Sequence, residues 1–275
     1  MPPLTALLFG GWKRRVCTPK LPTVFCISPT ARRYAKAAVQ YTLLCFVLII
    51  LVLWLGAEYE AFRIRRAEST LKFYQTDSVC GIIQLQNESE TPLLIDTFEN
   101  MTVAEAYPEP VTVAHCGDCG KCSNPHDVNI YDDTKNTLFD TTLTCGKRAF
   151  IWGRRTADKC MMENVGFTEP CNECWVENIL CDLRYCIFTC IWYGLFNEAN
   201  TGQDQKTLNP CTRCDELRCG PEFVTCAGVN RRRAGILSDI ERDLKNEVCH
   251  EAAPNWWKDP VLQDKWKQQN HERGL

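Results

Sequence analysis

One stretch of this chain is apolar on every face of a helix. Residues 37–56 read AAVQYTLLCFVLIILVLWLG, with Gln40 and Thr42 as the clearly polar side chains. A run of that length at helical rise covers about 30 Å, the thickness of a bilayer's hydrocarbon core. Tyr34, Tyr41 and Trp54 stand near its ends, where amphipathic rings favour the membrane interface. The pattern predicts a transmembrane helix over 37–56. A cleaved signal peptide fits poorly, because the apolar run and the basic region before it are too long and Leu55-Gly56-Ala57 lacks the small first residue.

Beyond this run the periodicity changes. Residues 57–75 are charged and continue the helix as a stalk. Gly81–Leu85, Pro92–Thr97 and Val111–Ala114 are short apolar segments between breakers, which predicts short strands or extended loops. Residues 115–136 are rich in Gly, Pro and Asn and read as loop. Cys145, Ala149, Trp152, Thr156 and Cys160 then recur at helical steps and share one face. Gly166 stops that helix. Pro170 opens a second, with Cys171, Cys174, Asn178 and Cys181 on one side and a continuation through Phe196. Asn197–Asn209 is a polar loop. A last helix is marked by the capping box of Ser238 and Glu241, with Ile240, Leu244 and Val248 on one side. The expected fold is mainly α with irregular loops and a few short strands: a single transmembrane helix plus a disulfide-rich extracellular domain containing a helical hairpin.

Two helices joined by a short turn pack antiparallel, and facing residues are equally distant from the turn. With the turn near Gly166, this predicts Cys160–Cys174 (Cys171 as the alternative) and Cys145 with Cys190 or Cys186. The other pairings stay open, since sixteen cysteines allow about two million connectivities.

Charge and cysteine chemistry set the topology. Residues 1–36 hold seven Lys and Arg and no acid, so of the net −3 the remaining residues carry −10. The full basic stub favours its retention in the cytosol, although Lys and Arg within about 20 residues of the helix ends are balanced. Of nineteen cysteines, Cys17, Cys26 and Cys45 precede or lie within the apolar run. The other sixteen are Cys80, Cys116, Cys119, Cys122, Cys145, Cys160, Cys171, Cys174, Cys181, Cys186, Cys190, Cys211, Cys214, Cys219, Cys226 and Cys249. An even, dense set behind a membrane segment reads as disulfides in an oxidising space. The sequons at Asn87 and Asn100 point the same way. The expected organisation is a basic cytosolic segment 1–36, the transmembrane helix 37–56 in the bilayer, a juxtamembrane stalk 57–78, a cysteine-rich extracellular or lumenal domain 79–253 and a Trp-rich tail 254–275. The expected location is the plasma or ciliary membrane. The alternative, from the acid-free and Arg-containing stub, is the mitochondrial inner membrane facing the intermembrane space.

Several motifs carry a chemical reading beside a structural one. Cys116/Cys119, Cys171/Cys174 and Cys211/Cys214 have zinc-ligand spacing, which would count in a cytosolic domain. Cys116 and Cys119, beside His115, also match a redox dithiol. Outside the cell, structural disulfides are the better reading of all three. Asp132 and Asp133 near Asn129 and Asn136 lack a calcium-loop pattern and read as a solvated turn. Arg231-Arg232-Arg233 reads as a solvated cap, with no nucleic-acid partner. No phosphate loop, dinucleotide fingerprint or nucleophile elbow occurs, so no catalytic residue, metal site or cofactor is expected. The candidate partner-binding residues are aromatic: Phe188, Trp192, Tyr193 and Phe196 in one segment, and Trp256, Trp257 and Trp266 in the tail. A buried core helix is the simpler reading of the first group.

The run Cys116-Gly-Asp-Cys-Gly-Lys-Cys-Ser-Asn-Pro-His-Asp-Val-Asn-Ile-Tyr131 and the Cys160–Cys226 cluster resemble the small polycystin-interactor proteins of protist cilia. The resemblance covers roughly residues 70–250 and includes the anchor helix and basic stub as an arrangement. It implies a non-enzymatic partner of a polycystin-type cation channel, serving channel stability, processing and ciliary delivery, where the channel anchors mastigonemes in some algae. It supplies no catalytic residues. The expectation is an accessory subunit that binds and stabilises another integral membrane protein. The alternatives are a membrane-tethered thiol-disulfide oxidoreductase, or a zinc-binding module if the domain is cytosolic.

Overall fold

The computed structural model describes residues 29–68, 77–84, 93–196, 209–236 and 249–272. The chain divides into two compact units, Met1–Leu55 and Gly56–Leu275.

The first unit contributes most of helix α1, Pro29–Glu68. Arg32–Arg63 is long and apolar enough to cross a membrane, and none of its most apolar stretch is buried. The Thr42 hydroxyl donates to the Ala38 carbonyl at 2.8 Å, so its polar group is satisfied within the helix. Cys45 is a free thiol.

The second unit begins with the last turns of α1 and continues into a three-stranded antiparallel sheet. Strands β1 (Val79–Ile83), β2 (Leu94–Phe98) and β3 (Val111–Cys116) are ordered β2-β1-β3. These are the three apolar segments read from the sequence. A bulge at Ala114 sets His115 opposite Cys80 and Val113 opposite Gly81. A short helix α2, Met101–Glu105, follows β2 and is capped by Asn100.

Residues 115–136 are not a loop throughout. Helix α3, Pro125–Asp133, forms there because Asn124 caps it, its side chain accepting from the Asp127 N–H at 2.9 Å, and Pro125 occupies the first turn. Asn and Pro together start this helix.

The rest is helical. Helices α4 (Leu138–Trp152) and α5 (Arg154–Asn164) are separated by Gly153, with φ at 80°. This corrects the single helix expected over 145–160. A left-handed residue reverses the helix direction, and Gly meets no Cβ penalty there. After Gly166 come α6 (Glu169–Tyr185), α7 (Ile187–Phe196), α8 (Pro210–Arg218) and α9 (Gly220–Ala227). The capping box at Ser238 and the helix expected after it lie outside the described residues. A 3₁₀ turn at Trp256–Lys258 and helix α10, Pro260–Glu272, close the unit.

The core gathers Tyr131, Phe167, Trp175 and Phe223. Phe167 and Trp175 stack at 5.9 Å, and Trp175 meets Phe223 at 4.7 Å. Trp175 Nε1 donates to the Tyr131 hydroxyl at 3.0 Å, so both polar tips are satisfied inside an apolar cluster. Residues 254–272 are no separate tail. Trp256, Trp257 and Leu262 are buried in the same core, and Trp256 Nε1 donates to the Ala114 carbonyl at 2.9 Å.

Candidate interaction surface

Sulfur bridges determine which surfaces of the second unit are fixed. All sixteen cysteines from Cys80 onward are bonded, as Cys80–Cys119, Cys116–Cys249, Cys122–Cys171, Cys145–Cys160, Cys174–Cys226, Cys181–Cys219, Cys186–Cys214 and Cys190–Cys211. The last four form a ladder. Their sequence separations are 52, 38, 28 and 21 residues, and every rung is centred on residue 200 or within half a residue of it. The arm α6–α7 therefore runs antiparallel to the arm α8–α9.

The expected pairs Cys160–Cys174 and Cys145–Cys190 are not formed, nor are the alternatives through Cys171 and Cys186. Cys160 bonds Cys145 across Gly153, which is the turn that faces those two residues. Cys174, Cys186 and Cys190 are taken by the ladder, whose rungs are centred near residue 200 and not near Gly166. The bridges are spaced equally about Gly153 and about residue 200, and not about Gly166.

The three Cys-x-x-Cys pairs are each split between distant partners. Cys116 bonds Cys249 and Cys119 bonds Cys80. Cys171 bonds Cys122 and Cys174 bonds Cys226. Cys211 bonds Cys190 and Cys214 bonds Cys186. For Cys171/Cys174 in α6 and Cys211/Cys214 in α8, positions i and i+3 of a helix project side by side, so each reaches outward to a neighbouring element. Neither a Cys116–Cys119 redox dithiol nor a zinc site keeps its thiols in this arrangement. Two clusters with ligand-like proximity, Cys116 with Cys249 and Glu251, and Asp182 with Cys186 and Cys219, likewise hold sulfurs already bonded.

The polar groups near Cys116 are structural. His115 is buried; its Nδ1–H donates to the Cys116 carbonyl at 2.9 Å. Its Nε2 accepts from Ser123 Oγ at 2.7 Å, and Ser123 Oγ in turn accepts from the Gly120 N–H. That tautomer follows from the acceptor at Nδ1. Burial holds the His115 pKa down at about 4, so the ring is neutral. Ser123 is also buried, which keeps this Ser–His pair from any substrate. Asp132 pairs with Lys135 and Lys258, and Asp133 accepts from Asn129, so the acidic turn is spent on local contacts. The three arginines are tied down and do not form a solvated cap. Arg231 is buried and donates to the Lys135 carbonyl, Arg232 pairs with Glu216 at 2.5 Å, and Arg233 donates to the Gly228 carbonyl.

The aromatic candidates divide. Trp256 and Trp257 are core residues, and Trp266 is half-buried, stacked on His126 at 4.8 Å. These three are corrected from partner anchors to packing. Phe188 packs against Gly56, where an added Cβ would come within 2.5 Å of the ring. Trp192 and Tyr193 are half-buried, and the Phe196 side chain lies outside the described residues. Asn100 caps α2 through its Oδ1, and Asn87 lies outside the described residues.

Phe188 is also exposed, at 36 %, and a more exposed apolar group lies elsewhere. Phe150, Ile151 and Trp152 end α4 and are 60, 67 and 75 % exposed. Trp152 was expected on the cysteine-bearing face, but the reversal at Gly153 leaves it outside. The available signal was local: consecutive helical residues point about 100° apart, so three large apolar neighbours cannot all face one core. Lys147, Arg148, Arg154 and Arg155 flank them, and residues 141–157 contain no acid. Arg154 pairs with Glu177 and, at 4.0 Å, with Glu173 on α6.

Residues 154–250 match a family described as Family of unknown function (DUF8771). The matched segment begins at α5 and contains the whole four-rung ladder. No curated protein and no solved structure matches the chain.

Proposed function

We propose that this chain is a non-enzymatic, single-pass membrane accessory subunit. Its N-terminal segment lies in the cytosol, and its disulfide-stapled domain binds and stabilises another integral membrane protein. The observation that carries the reading is the closure of all sixteen cysteines behind one membrane-length apolar helix. Bridges of this number persist in oxidising compartments, on the far side of a membrane from the cytosol. They join the described elements of the second unit covalently, which suits a docking module because less ordering entropy is lost on binding. The partition of Cys116 and Cys119 between two distant bridges weighs against the oxidoreductase alternative. The sequence resemblance suggests the partner: a polycystin-type cation channel of the ciliary membrane, with roles in assembly, processing, delivery and mastigoneme anchoring.

The test is purification of the full chain from native membranes after mild crosslinking, followed by mass spectrometry of the co-purifying proteins. A stoichiometric integral membrane protein is expected, and a channel of the polycystin type would support the finer reading. Recovery of the chain alone overturns the accessory-subunit reading.

A further inference from the structure

A chain tethered by its own apolar helix keeps a bilayer within reach of its outer domain, and the end of α4 is built for such a neighbour. Phe150, Ile151 and Trp152 are its three largest exposed apolar side chains. Being consecutive, they splay around the helix end and do not line up as a stripe. A stripe of apolar residues suits the face of a folded partner, whereas a splayed tip suits a fluid that closes around it. The tip is also unobstructed: a Cβ placed on Gly153 would meet nothing within 4 Å.

Charge agrees with shape. Lys147, Arg148, Arg154 and Arg155 fall in a stretch without acid, although the chain beyond residue 36 is net negative. Arg154 is turned toward α6 by Glu173 and Glu177. Lys147, Arg148 and Arg155 are exposed beside the tip. An aromatic and aliphatic tip ringed by cations is the composition of an interfacial anchor, with rings at headgroup depth and cations on the phosphates. We propose that the Phe150–Trp152 tip inserts into the headgroup region of a lipid bilayer, with Lys147, Arg148 and Arg155 on the lipid phosphates. This inference rests on the membrane-anchored reading above and adds a second membrane contact to it.

The experiment places a photoreactive ring at the tip of the full chain in cell membranes. Phe150→p-benzoylphenylalanine is compared with Phe46→p-benzoylphenylalanine, the latter inside the apolar run of α1. Both positions are exposed, and retention of the eight bridges on a non-reducing peptide map checks the fold. Lipid adducts are expected at both positions after irradiation. The adduct at position 150 is expected to fall severalfold when Lys147→Glu and Arg155→Glu are added, while that at position 46 stays constant. A protein-sized adduct at 150 overturns the inference and assigns the tip to a protein partner. Absence of any adduct at 150, with lipid at 46, overturns it too and leaves the anchor intact. Loss of lipid adducts at 46 removes the membrane-anchored reading and this inference with it.

Discussion

The carboxylate of Glu60 accepts a hydrogen bond from the backbone N–H of Thr189 at 2.7 Å, across 129 residues of sequence. Its other oxygen accepts from the Phe188 N–H at 3.2 Å. Glu60 is buried, and the two donors belong to the first turn of α7. A helix start leaves such N–H groups without intrahelical partners and carries partial positive charge, so a carboxylate there satisfies both. The N-cap of α7 is thus supplied from α1.

Replacing Glu60 tests that cap. Glu60→Ala leaves one buried and one partly buried donor unpaired and is expected to cost about 1–3 kcal/mol. Glu60→Gln keeps one acceptor oxygen and is expected to cost less. Hydrogen exchange of the full chain in detergent reads the effect at the amides of Phe188 and Thr189. Protection that is unchanged in Glu60→Ala would show that the contact contributes nothing.

The ladder predicts a particular non-additivity. Cys174→Ser with Cys226→Ser removes the outermost rung, which closes 52 residues in isolation. With Cys181–Cys219 intact, however, removal reopens only the short segments between the two rungs. The chain-entropy cost is then at the lower end of the usual range, about 2–3 kcal/mol. Deleting all four rungs is expected to cost about 1–2 kcal/mol more than the four single-rung losses added together, because each successive deletion frees a longer loop and loop entropy grows with the logarithm of length. Guanidinium midpoints of the four paired-serine variants and of the complete deletion check this. Simple additivity would show that the rungs constrain independent loops.

How far the sequence could be read depended on the range of the interactions. The apolar run, the three strands and the α5–α6 turn at Gly166 each depend on local periodicity and a nearby breaker, and all are legible. Gly153 was not recognised as a stop because the positions before and after it, Ala149 and Thr156, keep helical spacing with Cys145 and Cys160. The bridge partners then followed the wrong turn. Asn124-Pro125 carries loop chemistry in the sequence, and the same two residues serve as a cap and a first turn. Trp256 and Trp257 sit among charged neighbours in sequence, and their burial depends on β3 and α3, which no local pattern reveals. In the Phe150–Trp152 tip, Trp152 alone stands at a core-compatible spacing, and the mark of exposure is the run of three consecutive large apolar residues.

Stability should depend on pH through His115. The folded ring has its pKa lowered from 6.5 to about 4 by burial. Above pH 6.5 the ring is neutral folded or unfolded, and its contribution is fully present. Between 6.5 and 4 the unfolded chain takes up a proton that the folded chain refuses, so stability falls as pH falls, by about 3 kcal/mol in total. Asp127 and Asp182 act with the opposite slope. Burial pushes both carboxyls up, so as pH rises above their ordinary range the unfolded chain loses protons that the fold retains. The comparison of wild type with His115→Gln isolates the histidine. Unfolding midpoints measured from pH 4 to 7 are expected to differ in slope below 6.5. Parallel profiles would mean that the ring is not held neutral by the fold.

Two tryptophans should differ severalfold in their response to truncation. Trp256 is buried and hydrogen-bonded to Ala114, so Trp256→Ala opens a cavity and frees a carbonyl, costing about 3–5 kcal/mol. Trp152 is largely exposed, so Trp152→Ala should change stability by about 0.5 kcal/mol or less. Thermal melts of the full chain in detergent separate the two. A large loss at Trp152 would show that the end of α4 is packed against the protein.

Asn100 joins a structural role to a proposed modification, and the two can be separated by substitution. Its Oδ1 accepts from the Val103 N–H at 3.0 Å and caps α2, while its Nδ2 is the atom a glycan would occupy. Asn100→Asp keeps the capping oxygen and removes the amide, so it should abolish glycan transfer with little loss of stability. Thr102→Ala removes the sequon but leaves the cap. Asn100→Ala removes both, and is expected to cost about 1 kcal/mol besides the glycan. Glycosidase-sensitive mobility of the chain from eukaryotic membranes reads the modification, with Asn87→Gln as background so that one acceptor is scored. A shift lost in all three variants places this segment in the secretory lumen. A chain that shows no shift before substitution removes the sequon's support for that topology, leaving it to the sulfur bridges and the basic N-terminal stub.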